Sequence, residues 1–294
     1  METKEQKTSI TVQTTVAASV QKVWNTWTEP KHIIQWNNAS PDWHTPRAEN
    51  DLREGGRFLS RMEAKDGSVG FDFTGTYNTV DEFRLIEYTM DDGRKARITF
   101  EPKGNETIVR ESFDAEQTNS IELQRTGWQA ILDNFKQYTE DLLKMENLHF
   151  EISINAPVEK VYETMLHKEY YSEWTSAFNP TSRFEGSWEQ GSKIRFIGSD
   201  DKGNEGGMLS IIKENIPNKK VSIEHIGVLE GDREITGGHQ VEGWAGAIEE
   251  YTFKKEGNHT RLLVDCETNN EFKTYMNETW PTALQRLKAI CEKI

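Results

Sequence analysis

Trp128, Leu132 and Phe135 recur 152 positions later as Trp280, Leu284 and Leu287. Each triplet has the i, i+4, i+7 spacing of one helical face, so the chain writes one helix-closed unit twice. Other matches bound the unit. "AASVQKVWNTW" from position 17 faces "NAPVEKVYETM" from 155, setting Val23 against Val161, Trp24 against Tyr162 and Trp36 against Trp174 at a shift of 138. "FEPKGNETIV" from Phe100 faces "FKKEGNHTRL" from Phe253 at a shift of 153, so the second copy carries about fifteen extra residues in its middle. The glycine-rich, charged stretch "GVLEGDREITGGHQVEGW", 227–244, has no steady period and reads as the loop that holds them. With 294 residues the chain has length enough for two units that each bury a core. The domains are placed at 9–144 and 148–294, joined around Lys144 to Leu148.

Within each half the elements follow one order. A strand such as "SITVQTTV" opens it, two short helices follow, one carrying Trp24 and Trp27 and the next running from Pro30 to Trp36, and several strands come before the long closing helix. "VGFDFTGTYNTV" sets Phe71, Phe73 and Tyr77 on one face, and "KARITFE" does the same with Ala96, Ile98 and Phe100. One-sided alternation suits an antiparallel sheet with one covered face. The closing helix is the long element available to cover it, which predicts an α+β class: tandem domains, each a curved antiparallel sheet wrapped around a long C-terminal helix, with two short helices. Gly127 and Pro281 stand beside the repeated tryptophans, and both weaken a helix. They suggest a bend, or a junction between a short helix and a longer one, that turns the tryptophan toward an interior space.

Composition excludes several classes. Against 35 basic residues stand 49 acidic ones, a formal charge of −14 spread along the chain, which argues against nucleic-acid binding through clustered Lys and Arg. No apolar run approaches the ~20 residues that span a bilayer, and "METKEQKTS" resembles neither a secretory signal nor a transit peptide; a cytoplasmic protein without membrane insertion is expected, as a monomer or homodimer. The two cysteines, Cys266 and Cys291, lack metal or CxxC spacing and read as buried, reduced thiols. No GxSxG, Walker, GxGxxG or HExxH pattern occurs, so no catalytic residue, metal or cofactor is assigned.

"VQKVWNTWTEPKHIIQW", "LREGGRF", "GTYNTVDEFRLIEY", "GNETIV" and "GWQAILDNF" together resemble one branch of the SRPBCC superfamily, which unites START, Bet v and polyketide-cyclase-like proteins. The branch is that of the activator of the heat-shock-ninety ATPase. The resemblance covers roughly 9–142, and a divergent copy covers 148–294, where "QGSKIRF" replaces "EGGRF". It implies a helix-grip fold with a deep, mostly apolar cavity between sheet and closing helix.

Such cavities are lined by aromatic and aliphatic groups with a few polar groups that orient the ligand. Candidates in the first half are Trp24, Trp27, Phe58, Phe71, Phe73, Tyr77, Phe100, Trp128 and Phe135. Those in the second are Tyr162, Trp174, Phe196, Tyr251, Trp280 and Leu284. Strand parity aims Glu111 inward beside Val109 and Phe113, His225 beside Val221 and Ile223, and Glu249 beside Tyr251 and Phe253. His44 and His239 are placed at the cavity mouths. Three functions fit: binding of a small hydrophobic or amphipathic molecule, a co-chaperone-like module that stimulates a heat-shock ATPase in a stress response, or a cyclase, aromatase or hydrolase acting on a bound apolar substrate.

Overall fold

In the computed structural model, which describes residues 8–293, the chain divides into two compact units, Met1–Asp141 and Leu142–Ile294. Residues 1–7 of the opening "METKEQKTS" lie outside the described residues. The first unit runs β1 (Ser9–Val16), α1 (Val20–Thr28), α2 (Pro30–Trp36), β2 (Trp43–Asn50), β3 (Arg57–Ala64), β4 (Gly70–Asp81), β5 (Leu85–Met90), β6 (Lys95–Lys103), β7 (Glu106–Asp114) and α3 (Ile121–Leu142). The second runs β8 (Met145–Ile154), α4 (Val158–Leu166), α5 (Lys168–Thr175), β9 (Arg183–Gly186), β10 (Lys193–Ser199), β11 (Glu205–Ile216), β12 (Lys220–Glu230), β13 (Arg233–Ile235), β14 (Ile248–Glu256), β15 (His259–Asn269) and α6 (Asn270–Lys293). Strand order is β1-β7-β6-β5-β4-β3-β2 in the first sheet and β8-β15-β14-β12-β11-β10-β9 in the second, with β13 paired to β12, and every pairing is antiparallel. The α+β class is what the alternation predicts, and the curved sheet with its closing helix is the helix-grip arrangement that the resemblance implies.

The extra segment of the second half is not a loop throughout. β12 continues to Glu230 and turns through Gly231 and Asp232 into β13, with Glu230 opposite Arg233. Gly231 takes a positive φ of 57°, the conformation a two-residue hairpin turn asks for. Glycine content masked a Gly-Asp turn between two pairing stretches.

The junction expected beside each tryptophan is absent. α3 is continuous over 22 residues and α6 over 24, with Pro281 in the interior of α6. What changes along each helix is its environment. The C-terminal half of α3 buries Leu132, Phe135 and Thr139, and that of α6 buries Leu284, Leu287 and Cys291. The N-terminal halves instead roof a cavity.

Each closing helix is fastened to the free edge of its unit's first strand. Lys136 Nζ donates to the Thr15 carbonyl at 2.7 Å, and the Ala17 amide donates to Glu140 at 2.8 Å. The same pair returns in the second unit: Lys288 donates to the Ser153 carbonyl at 2.6 Å, and the Asn155 amide donates to Glu292 at 2.7 Å. In both units the lysine and glutamate also bridge one another at i, i+4. The helix thereby occupies backbone groups that an edge strand otherwise leaves open to pairing with another chain. A second repeated bond closes the strand-to-helix corner, where Thr107 Oγ1 donates to the Ala18 carbonyl at 2.9 Å and Thr260 Oγ1 to the Ala156 carbonyl at 2.8 Å.

Replacing Lys288 by alanine is expected to lower the stability of the second unit by about 1 kcal/mol, the net worth of a hydrogen bond made by a charged group to a backbone that water can reach. Lys31→Ala, which removes an exposed pair with Glu29 at 2.7 Å, should change stability by less than about 0.5 kcal/mol. Urea denaturation followed by circular dichroism checks both; equal effects would remove any special role for the helix-to-edge tie.

Candidate functional site

Beneath the N-terminal half of α3 lies a cavity of about 510 Å³. Its roof is the helical stripe Leu123, Gly127 and Ile131 with Trp128 beside it, and its wall comes from β3, β4 and β5. Phe58, Phe73 and Tyr88 meet edge to face or tilted, with Phe58 to Tyr88 centroids at 4.8 Å and Phe58 to Phe73 at 5.6 Å. Trp128 stacks on Phe113 at 3.8 Å, which turns its ring inward. Phe71 and Leu123 are exposed and line the same space, so they rim its mouth.

Two glycines shape it. A Cβ at Gly75 would lie 2.8 Å from the Phe58 ring and 2.7 Å from the Thr89 carbonyl, so the wall needs glycine there for Phe58 to lie flat on the strand. A Cβ at Gly127 would meet nothing within 4 Å. There glycine is not demanded by crowding; it leaves room in the roof.

Glu111 is the buried carboxyl of this wall, 6% exposed, on β7 between Val109 and Phe113. The Tyr88 hydroxyl, itself in the lining, donates to it. Burial pushes the Glu111 carboxyl up to about 8, the Tyr88 hydrogen bond opposing this in part. At neutral pH the group is therefore mostly an uncharged acid, able to donate a hydrogen bond to a ligand oxygen. Burial likewise pushes the Tyr88 hydroxyl well above its usual range, and Glu111 adds to the effect.

The second unit holds a cavity of about 750 Å³. Tyr171, Trp174, Tyr251 and Trp280 enclose its inner end, Phe196 lies against Tyr171 at 5.8 Å, and Asp200, Glu205, Glu230 and the half-exposed Tyr275 stand among its outer lining. His225 and Glu249 both face the space from β12 and β14, with Nε2 to Oε2 at 3.7 Å. Ser210 Oγ sits 2.8 Å from His225 Nδ1 and holds the imidazole in place. The Tyr251 hydroxyl donates to the other oxygen of Glu249. The Cys266 thiol, pushed far up by burial and by Glu249, is buried and free, as is Cys291. A carboxyl and an imidazole so placed can hold a positive charge or carry a proton.

Of the residues picked out by parity, the first cavity gathers Trp27, Phe58, Phe71, Phe73, Tyr77, Glu111 and Trp128. The second gathers Trp174, Phe196, His225, Glu249, Tyr251 and Trp280. Five face the interior without reaching either space. Trp24 packs edge-on against Phe83 and Phe100; Phe135 fills the junction of Trp27 and Trp36; Tyr162 meets Phe253 and donates to Asn215; Leu284 is core. Parity names the face of a strand and leaves the position along it open. His44 is also not in the lining: it stands 3.8 Å from Glu63, and its neighbour Trp43 lines the cavity instead. His239 is exposed in a short 3-10 turn and lines neither space. Tyr88 was legible in the alternation of Ile86, Tyr88 and Met90. Ser210 was not, because a register shift between Leu209 and Ser210 breaks the parity of β11.

Among the described residues no helix is long and apolar enough to cross a membrane. The model of the family described as activator of Hsp90 ATPase homolog 1-like protein matches residues 17–140 and again 155–292, in agreement with the motif resemblance. Among solved structures, an AHSA1-like protein from Aeromonas hydrophila is 44% identical over 45% of this chain and 92% of its own, with a TM-score of 0.44. Chr148 from Cytophaga hutchinsonii is 57% identical over the same shares, 45% and 92%, with a TM-score of 0.41. The di-domain ARO/CYC StfQ from the steffimycin biosynthetic pathway is 13% identical over 97% of this chain and 98% of its own, with a TM-score of 0.36. No curated protein matches the chain.

The native state holds the Glu111 proton more tightly than the unfolded chain, because its folded value of about 8 stands above the ordinary 4.5. Its contribution to stability is therefore complete below about pH 4.5 and is lost as pH rises through about 8. At about 1.4 kcal/mol per unit, the loss is on the order of 5 kcal/mol as an upper bound. Glu111→Gln, which cannot ionise, should melt close to the parent at pH 5 and above it at pH 9, with the gap opening in between. Thermal melts across that range check this; a gap that ignores pH would place the Glu111 carboxyl in water.

Proposed function

The chain belongs in both halves to the family of activator of Hsp90 ATPase homolog 1-like proteins, and we propose that it binds a small apolar or amphipathic molecule between the sheet and the closing helix of each domain. The observation that carries this reading is the first cavity: about 510 Å³ walled by aromatic rings, with Glu111 and Tyr88 as the converging polar pair. Volumes of about 300–1,000 Å³ with few, placed polar groups are those of small-molecule sites. A packed core of this composition would close on itself, since a methylene-sized void already costs about 1 kcal/mol.

The polar pair sets what the first site asks of its ligand. An uncharged carboxyl beside a tyrosine hydroxyl accepts a partner with a carbonyl, ether or hydroxyl oxygen, the remainder of which lies on Phe58, Phe73 and Trp128. In this reading the site holds and orients its guest. Phe71 and Leu123 at the rim provide an apolar lip for entry.

Gly127→Leu tests the reading, because its side chain grows into the space under α3 instead of into packed atoms. Titration with decanol and 2-undecanone, followed by calorimetry and thermal shift, should find the first site in the parent chain and lose it in Gly127→Leu. Gly127→Ala should retain binding and gain about 0.5–1 kcal/mol of stability from helix propensity. Absence of any response in the parent chain, or unchanged binding in Gly127→Leu, would refute the first cavity as a receptor.

A further inference from the structure

The two cavities differ in the balance of charge they present. Arg94 lines the first beside Glu49, Glu111 and Glu116, whereas among the described residues the second has no lysine or arginine in its lining and four carboxyl groups, Asp200, Glu205, Glu230 and Glu249. On the outer side Arg183 pairs with Glu205 at 2.9 Å and Arg233 with Glu230 at 3.7 Å. Asp200 spends its oxygens on Asn204 and nearby backbone amides. Selection of a ligand therefore falls to the inner end.

There Glu249 Oε1 takes the Tyr251 hydroxyl. Among the described residues Glu249 Oε2 has only His225 Nε2 at 3.7 Å and the Cys266 thiol at 3.9 Å. Both are longer than the 2.7–2.9 Å of a charge-assisted hydrogen bond, so this oxygen has capacity for a closer cation. Around it the rings are continuous: Tyr171 to Trp174 at 5.3 Å, Trp174 to Trp280 at 6.2 Å, and Trp280 to Tyr251 at 6.2 Å. Electron-rich faces beside a carboxylate in a water-poor end are what hold an ammonium or quaternary ammonium group. Phe178 and Met276 extend the apolar wall outward and suit the tail of such a molecule.

We propose that the second cavity is a site for an amphiphile with a cationic amine head, the head lying between Glu249 and the rings of Tyr171, Trp174, Tyr251 and Trp280. The proposal rests on the receptor reading and gives it a ligand class that the first cavity, with its protonated Glu111, does not share. Ser210 takes part by holding His225 so that Nε2 faces Glu249 without closing on it.

The test uses the full chain carrying Gly127→Leu, so that the second cavity is read alone, with decyltrimethylammonium, decanol and decanoate as probes. Calorimetry should show the ammonium binding at least tenfold more tightly than decanol, and decanoate most weakly. Adding Glu249→Gln, which keeps the side-chain shape, should lower ammonium affinity tenfold or more and leave decanol within twofold, with an unchanged far-ultraviolet spectrum. If Glu249→Gln fails to fold, Trp174→Phe should still weaken the ammonium selectively. Equal affinity for decanol and the ammonium, or an ammonium affinity indifferent to Glu249→Gln, would overturn the cation site and leave the receptor reading standing. Failure of all three probes to bind would overturn the second cavity as a receptor and the cation site with it, while the first cavity is judged separately by the parent chain.

Discussion

A helix laid across a concave sheet collapses onto it unless it is held at one end and spared from packing at the other. In this chain the holding is done by a lysine and a glutamate one turn apart. Lys136 and Glu140 reach the backbone of β1, and Lys288 and Glu292 reach that of β8. The same halves of the helices carry the core residues, so burial and the repeated lysine–glutamate tie act on one segment. In the first unit Arg125 and Gln129 carry the edge bonding into the N-terminal half, at the backbone of Thr11 and Gln13, and what sets that half apart is that it lies over a cavity instead of the core. Trp128 and Trp280 mark the border between the two regimes.

Apolar matches between the halves were enough to read the architecture, because burial dictates the i, i+4, i+7 stripe and the strand alternation that place the core. The fastening was legible by the same comparison and escapes a search for apolar stripes: Lys136 and Lys288, like Glu140 and Glu292, are 152 positions apart, and their strand partners are 138 apart. Inward carboxyls could also be read, since Glu111 and Glu249 follow strand parity. What one strand cannot reveal is depth. Trp24 and Phe100 share a face with cavity residues and end in the core because α1 sits against β6 at that level. Irregular pairing hides the rest, as at Ser210, where the register slips.

Duplication has kept the frame and moved the chemistry. At the shift of 153, Glu111 corresponds to Val264, and Glu249 to Ala96. The carboxyl has passed from the strand next to the sheet edge to its inner neighbour. Phe113, which stacks on Trp128, corresponds to Cys266, whose smaller side chain leaves Trp280 to join Trp174 and Phe178 instead. In the first unit the acid is enclosed by apolar surface and keeps its proton at neutral pH. In the second it has an imidazole, a hydroxyl and aromatic faces for neighbours. Under the two proposals the interiors ask for different guests, since one presents Glu111 with Tyr88 and the other Glu249 with His225 and Tyr251.

Glycine and proline beside the two tryptophans fit the same division of labour. Gly127 weakens α3 by about 1 kcal/mol relative to alanine, and a proline in a helix interior costs about 3 kcal/mol. Pro281 cannot donate to the Asn277 carbonyl, and that turn lies over the cavity end of α6. Each fully buried aliphatic side chain of the anchored half contributes roughly 1.5–3 kcal/mol, so Leu284, Leu287 and Ile290 more than offset one imperfect turn. The roof can therefore be the least stable part of the helix without endangering the fold. Low cost of local rearrangement there is also what a guest needs in order to enter, since a roof packed as tightly as the anchored half would admit nothing larger than water.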